Sequence, residues 1–302
     1  MSQPIFLPPP KTLGLFWPSS QGHLDKANIG KSFFAEAGYQ IVKSKAWQRI
    51  CRGYLAANDH YRLLSLTSLT DAKKFEVDGF LAQRGGYGCT RLLGDIGDWS
   101  AYPPQKPLIG FSDVTALHMA RYAMTGVGGW HAPMLESIAD ASPLSRDTFF
   151  KALAGQGPAE WNFTESQVIK KGLAKGPVLG GNLSVLWALS GSPYWPNFDG
   201  AILLIEDINE PAYRLDRLMT SLLTSGLLER LNGLVFGSFI NCGSPILVTT
   251  ILTEAASHLR PGCPAVKGAP FGHQPIQQPW WIGEEAELEA QAEGGCLRFL
   301  ER

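Results

Sequence analysis

Short apolar runs that alternate with helix-like patterns constrain this chain more than any other feature of its sequence. The runs are almost wholly apolar, which is typical of strands that are buried on both faces of a sheet. In the first half of the chain, a run of this kind occurs four times, at 12–17, 39–42, 77–82 and 108–110. The alternation predicts an α/β domain with a doubly wound parallel sheet.

The composition of the sequence changes at GQGPAEWNFTESQVIKKGLAKGP, a polar stretch that contains several glycines and prolines. The chain has 302 residues, enough for two domains at roughly 100–200 residues each. We therefore predict an N-terminal α/β domain at 1–157, a linker at 158–176 and a C-terminal α+β domain at 177–302. Within the last, we expect a long helix at 213–231 and a terminal β-hairpin.

Charge and cysteine content exclude several classes of function. Lys and Arg number 26 and Asp and Glu 27, so the chain lacks the basic surface that nucleic acid requires. Its five cysteines and six histidines show no zinc-ligand or disulfide spacing, and we expect no metal and no cofactor. The sequence shows neither a signal peptide nor an apolar run of the ~18 residues that span a membrane. We expect a cytoplasmic protein that binds a small molecule or a second copy of itself.

Three polar residues directly follow apolar runs, namely Ser112, Glu206 and His273. Parallel sheets bind ligands beyond the carboxyl ends of their strands, so these side chains are candidates for one site. A serine hydroxyl becomes a nucleophile when a histidine takes its proton, and a carboxylate orients that histidine. The residue pattern also allows purely structural roles, because Ser112 could cap a helix, Glu206 could be solvated and His273 could be a packing residue.

The turn GFSD at 110–113 is similar to a nucleophile elbow, but Val114 stands where Gly-x-Ser-x-Gly has its second glycine. The loop RGGYG at 84–88 precedes a predicted helix from Thr90. Its glycines let the backbone approach a ligand, so it could cradle an anion or donate an amide to an oxyanion hole. Cys89 beside this loop is a candidate thiol nucleophile, although a small buried cysteine is usually inert.

Five motifs in order resemble the LD-carboxypeptidases, serine peptidases also called muramoyltetrapeptide carboxypeptidases. They are RGGYGCTRLL, GFSDVTALH, GGNLSVLWALSGSP, LIEDINEPAYRLDRLM and GAPFGH. The resemblance covers nearly the whole chain and departs from the family at 62–75 and in the short loop 241–245. It implies two domains with the active site between them: the N-terminal domain carries the nucleophile, and the C-terminal domain carries the acid and the base.

The resemblance also assigns roles to residues. By motif, the nucleophile falls on Ser112, the acid on Glu206 and the base on His273. The oxyanion-hole amides fall on Asp113 and Gly86. We further expect substrate contacts from the glycine loop, at Arg84, Gly85 and Tyr87, with Arg84 as the candidate for the substrate's terminal carboxylate.

The reaction that the resemblance implies is hydrolysis of the bond between an L-centre and a terminal D-amino acid. The usual substrate is the cytoplasmic murein tetrapeptide, which releases D-alanine during cell-wall recycling, and the family tends to form homodimers. A side branch of the family hydrolyses peptidyl-nucleotide antibiotics and confers self-immunity. A different class, a non-catalytic domain in which residues 84–88 hold an anion, is disfavoured by the intact Ser112, Glu206 and His273.

Overall fold

The computed structural model describes residues 2–44, 53–71 and 73–301, which form two sheets. The first sheet has six strands, which are β1 (Lys11–Phe16), β2 (Tyr39–Lys43), β3 (Gly79–Ala82), β4 (Leu108–Gly110), β5 (Trp130–His131) and β12 (Trp280–Trp281). Their order across the sheet is β12-β5-β4-β3-β1-β2. The first five are parallel, and β12 runs antiparallel to β5. The predicted parallel α/β sheet is confirmed.

The described residues of this half of the chain form five α-helices: α1 (Leu24–Glu36), α2 (Asp59–Thr67), α3 (Thr115–Thr125), α4 (Ser137–Asp140) and α5 (Pro143–Leu153). Local sequence explains their ends. The Asn58 side chain caps α2 by accepting from the Tyr61 amide, and α3 ends at Gly126, whose φ of +71° suits glycine. The helix predicted from Thr90 is instead a 3₁₀ helix, Cys89–Asp95.

The second sheet has eight strands, which are β6 (Glu160–Thr164), β7 (Val168–Lys170), β8 (Gly172–Asn182), β9 (Ile202–Ile208), β10 (Gly233–Ile240), β11 (Ala265–Lys267), β13 (Glu285–Gln291) and β14 (Gly294–Phe299). Its order is β6-β14-β13-β8-β9-β10-β11-β7, with β8 to β11 parallel and the outer strands antiparallel. The predicted terminal hairpin is β13–β14. The remaining α-helices are α6 (Leu183–Trp187), α7 (Ala212–Thr224) and α8 (Pro245–Ser257). The helix predicted at 213–231 stops at Thr224, because Gly226 adopts a φ of +70°.

The predicted division of the chain differs from the structure at two points. Residues 158–176 are not a linker, since they contain β6, β7 and the first residues of β8. Strand β6 buries only Trp161 and Phe163 and exposes Glu160, Asn162 and Thr164, which explains the polar composition of this edge strand. Strand β12 lies inside the predicted C-terminal domain but completes the first sheet.

Apolar side chains cover both faces of the first sheet. Along β1, Leu13 and Leu15 pack on one face, while Phe16 points to the other. The cluster that contains Phe16 continues into the second sheet through residues such as Leu204 on β9. One core therefore holds the two sheets together and fixes the carboxyl ends of β4 and β9 relative to each other. No helix of the described residues is long and apolar enough to cross a membrane.

Candidate active site

The structure brings Ser112, His273 and Glu206 into one chain of hydrogen bonds. Ser112 Oγ lies 2.9 Å from Nε2 of His273, and Nδ1 of His273 lies 2.7 Å from Oε2 of Glu206. With the imidazole proton on Nδ1, the histidine donates to the carboxylate and its Nε2 accepts from the serine hydroxyl. These 161- and 67-residue separations close only because the two sheets share a core.

The backbone at Ser112 turns sharply between β4 and α3. Ser112 has a φ of +63°, a left-handed conformation that is uncommon for a residue other than glycine. The turn begins at extended Phe111 and is closed by the Val114 amide, which donates to the Phe111 carbonyl. In the part of the chain that the structure describes, no side-chain hydrogen bond caps the turn or α3, so the Ser112 hydroxyl is left for His273. Strained backbone of this kind is typical of functional sites.

Glu206 and its neighbour Asp207 have different partners. Glu206 is fully buried and contacts His273, whereas the Asp207 carboxylate accepts from the Ser184 amide at 2.9 Å. The Asn182 side chain bridges the pair, because Nδ2 donates to Asp207 Oδ1 at 2.9 Å and lies 3.3 Å from Glu206 Oε1. Burial raises the pKa of Asp207 to about 6, and the charge of Glu206 adds to that rise.

Asn182 is a site residue that was not predicted from the sequence. The criterion that selected Ser112 applies to it as well, since it is the polar residue at the end of the apolar run Val178–Gly181 on β8. Its side-chain oxygen caps α6 by accepting from the Val185 amide, while its nitrogen serves the two carboxylates.

The environment of His273 favours its protonation over that of an ordinary histidine. Burial lowers the pKa of His273, but the Glu206 charge and hydrogen bond outweigh burial and raise it above the usual value. Its neighbour Gly272 has a φ of +102°, and a Cβ there would lie 2.5 Å from Ser238 Oγ. On the other side, the ring of Phe111 packs 5.0 Å from the imidazole. The imidazole is thus held by its hydrogen bonds to Glu206 and Ser112 and by the ring of Phe111.

The glycine loop lies against the serine. A Cβ added to Gly85 would be 3.0 Å from Ser112 Oγ, and one added to Gly86, where φ is +118°, would be 2.2 Å from Ser20 Oγ. Among the residues that the structure describes, neither the Gly86 amide nor the Asp113 amide donates to another protein atom. Two backbone donors are therefore available near Ser112.

Arg84 and Gly85 line the same cavity as Ser112 and His273. Arg84 Nη1 donates to the Gln21 carbonyl at 2.9 Å and lies 3.2 Å from His23 Nδ1. Within the described ranges, no carboxylate forms a direct ion pair with this guanidinium. Tyr87 is not among the described lining residues, and its ring packs 5.8 Å from that of Tyr54.

Glu136 is a second lining residue that the sequence did not reveal. It is 4% exposed and accepts from the His23 amide at 3.0 Å and from Gln83 Nε2 at 2.6 Å. Glu136 therefore holds His23, which in turn contacts Arg84. The contact of Glu136 with His23 joins residues 113 positions apart, and no local pattern indicates it.

Cys89, the candidate thiol nucleophile, and the nearby His118 have structural roles. Cys89 is fully buried, and burial together with the charge of Asp113 raises the pKa of its thiol well above the usual value, which disfavours the reactive thiolate. His118 is packed, with Nε2 2.9 Å from the Gly110 carbonyl, and burial lowers its pKa to about 4. The described residues contain no group of three or more His, Cys, Asp or Glu side chains that could hold a metal ion.

Comparison with known proteins gives the same family along most of the chain. Residues 13–132 match the LD-carboxypeptidase N-terminal domain, and residues 175–288 match the LD-carboxypeptidase C-terminal domain. A putative carboxypeptidase of Synechocystis sp. is 33% identical over 304 residues, covering 99% of this chain and 97% of the relative. The murein tetrapeptide carboxypeptidase of Pseudomonas aeruginosa is 30% identical over 262 residues, covering 82% and 81%.

Solved structures of similar fold include two kinds of protein. The muramoyltetrapeptide carboxypeptidase of Oxalobacter formigenes superposes with a TM-score of 0.82 at 26% identity, over 95% of this chain and 98% of that one. MccF, the microcin C7 self-immunity protein, in complex with glutamyl sulfamoyl guanosine superposes with a TM-score of 0.85 at 20% identity, over 100% and 99%. The second likeness concerns the fold alone.

Proposed function

The chain belongs to the LD-carboxypeptidase family, and we propose that it is a serine carboxypeptidase that releases the terminal D-alanine from murein tetrapeptides. The observation that carries the proposal is the hydrogen-bonded chain from Ser112 through His273 to Glu206. The relatives named as murein peptide and murein tetrapeptide carboxypeptidases support the substrate.

In the first step, Ser112 Oγ attacks the carbonyl carbon of the L,D-amide bond, and His273 Nε2 takes the hydroxyl proton. Glu206 accepts from Nδ1–H, fixes the tautomer and stabilises the imidazolium that forms. The carbonyl oxygen becomes an oxyanion, and we assign its hydrogen bonds to the amides of Gly86 and Asp113.

In the second step, the tetrahedral intermediate collapses and His273 gives its proton to the departing nitrogen of D-alanine. A water molecule then attacks the acyl-serine ester while His273 takes a proton from it, and the peptide acid leaves as Ser112 regains its hydrogen. No other group has to supply or accept a proton, so the three side chains and two amides balance both steps.

We assign the substrate's terminal carboxylate to Arg84. A carboxypeptidase must recognise a free carboxylate next to the scissile bond, and a guanidinium can bind it through two parallel hydrogen bonds. Arg84 lines the Ser112 cavity, and neither of its described partners, the Gln21 carbonyl and the His23 ring, is a carboxylate. A fixed guanidinium without a carboxylate partner is suited to an anionic ligand.

The decisive experiment is incubation of the protein with murein tetrapeptide, followed by assay of free D-alanine. We expect release that requires Ser112, and the same peptide ending in L-alanine as the control should be stable. Absence of D-alanine release from a folded enzyme would refute the proposed substrate. We also propose that the protein acts in the cytoplasm as a homodimer. Light scattering of the purified chain measures its mass and tests the dimer.

A second candidate is an acyl hydrolase of peptidyl-nucleotides, because the fold superposes on MccF over the full chain. The triad and the oxyanion hole would serve both reactions equally. The carboxypeptidase and the acyl hydrolase therefore differ in which leaving group the enzyme recognises. A side-by-side assay with an aminoacyl sulfamoyl nucleoside and the murein tetrapeptide separates them. We expect the tetrapeptide to have the higher kcat/KM.

A further inference from the structure

A buried polar network lies behind the glycine loop and plays no part in the proton transfers. The Asp113 carboxylate, which is 1% exposed, accepts from Ser19 Oγ at 2.6 Å and from the Cys89 amide at 2.9 Å. Asp113 directly follows the nucleophile, and Cys89 directly follows the RGGYG loop. The side chain of Asp113 therefore connects the nucleophile turn to the end of the glycine loop.

Arg62 extends this network from α2. It is also 1% exposed, and its Nη1 donates to the carbonyls of Pro18 and Gly88, the latter at 3.0 Å, while Nη2 donates to Asp59 at 2.6 Å. Gly88 is adapted to this contact, because a Cβ there would lie 2.4 Å from Arg62 Nη1. A single guanidinium thus holds the loops that follow β1 and β3.

Together these contacts hold three strand-end loops in one arrangement. The loop after β1 is held at Pro18 and Ser19, the loop after β3 at Gly88 and Cys89, and the turn after β4 at Asp113. The two amides assigned to the oxyanion hole belong to the second and third of these loops. The network therefore joins the two loops that carry these amides.

We infer that Arg62 and the carboxylate of Asp113 are positioning residues that set the spacing between the two halves of the oxyanion hole. The inference rests on the proposed serine mechanism and deepens it. An oxyanion donor acts only when it meets the developing charge at hydrogen-bond distance, and an error of about 1 Å can cost about 10²-fold in rate. Neither side chain is placed to touch the substrate, so both should affect kcat with little change in KM.

The first test is Arg62→Met, with Arg121→Met as the matched control. Arg121 is likewise buried, at 3% exposed, and donates to two backbone carbonyls, those of Lys106 and Pro103, but it lies on α3 beyond the nucleophile turn. We expect Arg62→Met to lower kcat about 10- to 10²-fold with KM within about twofold. Arg121→Met should keep the wild-type kcat even if it lowers the melting temperature as much as Arg62→Met does. Arg62→Lys should recover part of the rate that Arg62→Met loses.

Ser19→Ala is a milder second test, which keeps the inference falsifiable if the arginine variant does not fold. It removes one hydroxyl donor to Asp113, and Ser2→Ala is its control, because Ser2 is a buried serine that accepts from Gly128 and Trp281 away from the cavity. We expect Ser19→Ala, and not Ser2→Ala, to weaken binding of a peptide aldehyde that forms a tetrahedral adduct with Ser112, while binding of the tripeptide product is unchanged.

Phosphonylation of Ser112 by a fluorophosphonate separates failure of this inference from failure of the proposed substrate, since that reaction also uses the oxyanion hole but needs no murein peptide. We expect slower phosphonylation in both network variants. Folded Arg62→Met and Ser19→Ala proteins with wild-type kcat and wild-type labelling rates would overturn the inference, and so would a change confined to KM. A wild-type enzyme that labels rapidly but releases no D-alanine would contradict only the substrate.

Discussion

The backbone amide of Asn182 donates to Oγ1 of Thr115 at 3.0 Å, and this hydrogen bond joins the helix of the nucleophile to the strand beside the acid. Thr115 is three residues after Ser112, and Asn182 pairs in register with Glu206. Gly181 lies against the same contact, since its φ is +137° and a Cβ there would be 2.5 Å from Thr115 Oγ1. The alignment of nucleophile and acid therefore depends on close approach at one glycine.

The first prediction is that Gly181→Ala separates the two halves of the triad. Crowding of Thr115 should move α3 away from β8, and we expect kcat to fall about 10²-fold and the free energy of unfolding by about 1–3 kcal/mol. Gly191→Ala is the matched control, because Gly191 also has a positive φ of +77° but no atom lies within 4 Å of the added Cβ. Equal losses of activity in the two variants would show that backbone strain, not the Thr115 contact, is responsible.

The second prediction concerns the nucleophile. Ser112→Ala removes the attacking oxygen but leaves the buried turn, so we expect kcat to fall on the order of 10⁶-fold with an unchanged circular dichroism spectrum. D-alanine release by the purified variant is the measurement. A folded variant that retains more than a few per cent of the rate would mean that another group attacks the peptide.

The third prediction is a shift of the pH profile in Glu206→Gln. The pKa of His273 is raised by Glu206 against the lowering effect of burial, and the enzyme needs neutral His273, so kcat/KM of the wild type should fall on the acid side below a pKa higher than 6.5. Without the charge of Glu206, burial dominates, and this limb should move to lower pH while the plateau rate falls.

The control for that variant is Asp207→Asn, whose carboxylate contacts Asn182 and Ser184 and not His273. We expect Asp207→Asn to shift the acid limb less, and to lower the plateau rate less, than Glu206→Gln does. Glu206→Asp should recover part of the rate if the shorter side chain still reaches Nδ1. An acid limb that shifts in Asp207→Asn and not in Glu206→Gln would show that Asp207, and not Glu206, is the partner of His273.

The fourth prediction is that Gly85→Ala obstructs the nucleophile. Gly85 does not have a positive φ, so the substitution strains no backbone, but its Cβ would lie 3.0 Å from both Cβ and Oγ of Ser112. We expect kcat to fall while the melting temperature changes little. Gly94→Ala, where the added Cβ meets no atom within 4 Å, should have wild-type activity under the same assay.

The fifth prediction tests the role of Arg84. Arg84→Ala should raise KM for a tetrapeptide with a free terminal carboxylate, because it removes the cation assigned to that group. A tetrapeptide with a C-terminal amide should already be a poor substrate for the wild type and lose little more in the variant. Similar losses for both peptides would place the carboxylate elsewhere.

The residue pattern was sufficient for the parallel sheet and for marking Ser112, Glu206 and His273 as candidates, because both follow from local rules. A polar residue after a buried run marks a strand end, and strand ends in a parallel sheet converge. Ser112 follows a strand of the first sheet and His273 follows a strand of the second, so this rule alone could not pair them. The resemblance to the family assigned both to one triad, and the structure brings their side chains to 2.9 Å.

What the sequence could not supply is every contact that depends on packing between distant segments. Glu136 reaches His23, and Arg62 reaches Gly88, through side chains whose local sequence resembles ordinary loop and helix surface. Strand β6 was mistaken for a linker because an edge strand with one buried face has the composition of a loop. Strand β12 has two residues, too few to show a hydrophobic periodicity, and only its pairing with β5 identifies it as a strand.

The pairing of β12 with β5 has a consequence for how the chain could be divided. A cut in the exposed turn at 155–157 would leave an N-terminal piece with an open edge along Trp130 and His131. The C-terminal piece would carry Trp280 and Trp281, both fully buried in the intact protein, with Trp280 stacked 4.9 Å from His131. Neither piece would hold a whole triad, yet each would display the edge that the other completes. Co-expressed as two polypeptides, they should reassemble by strand addition into a split enzyme whose activity reports their association.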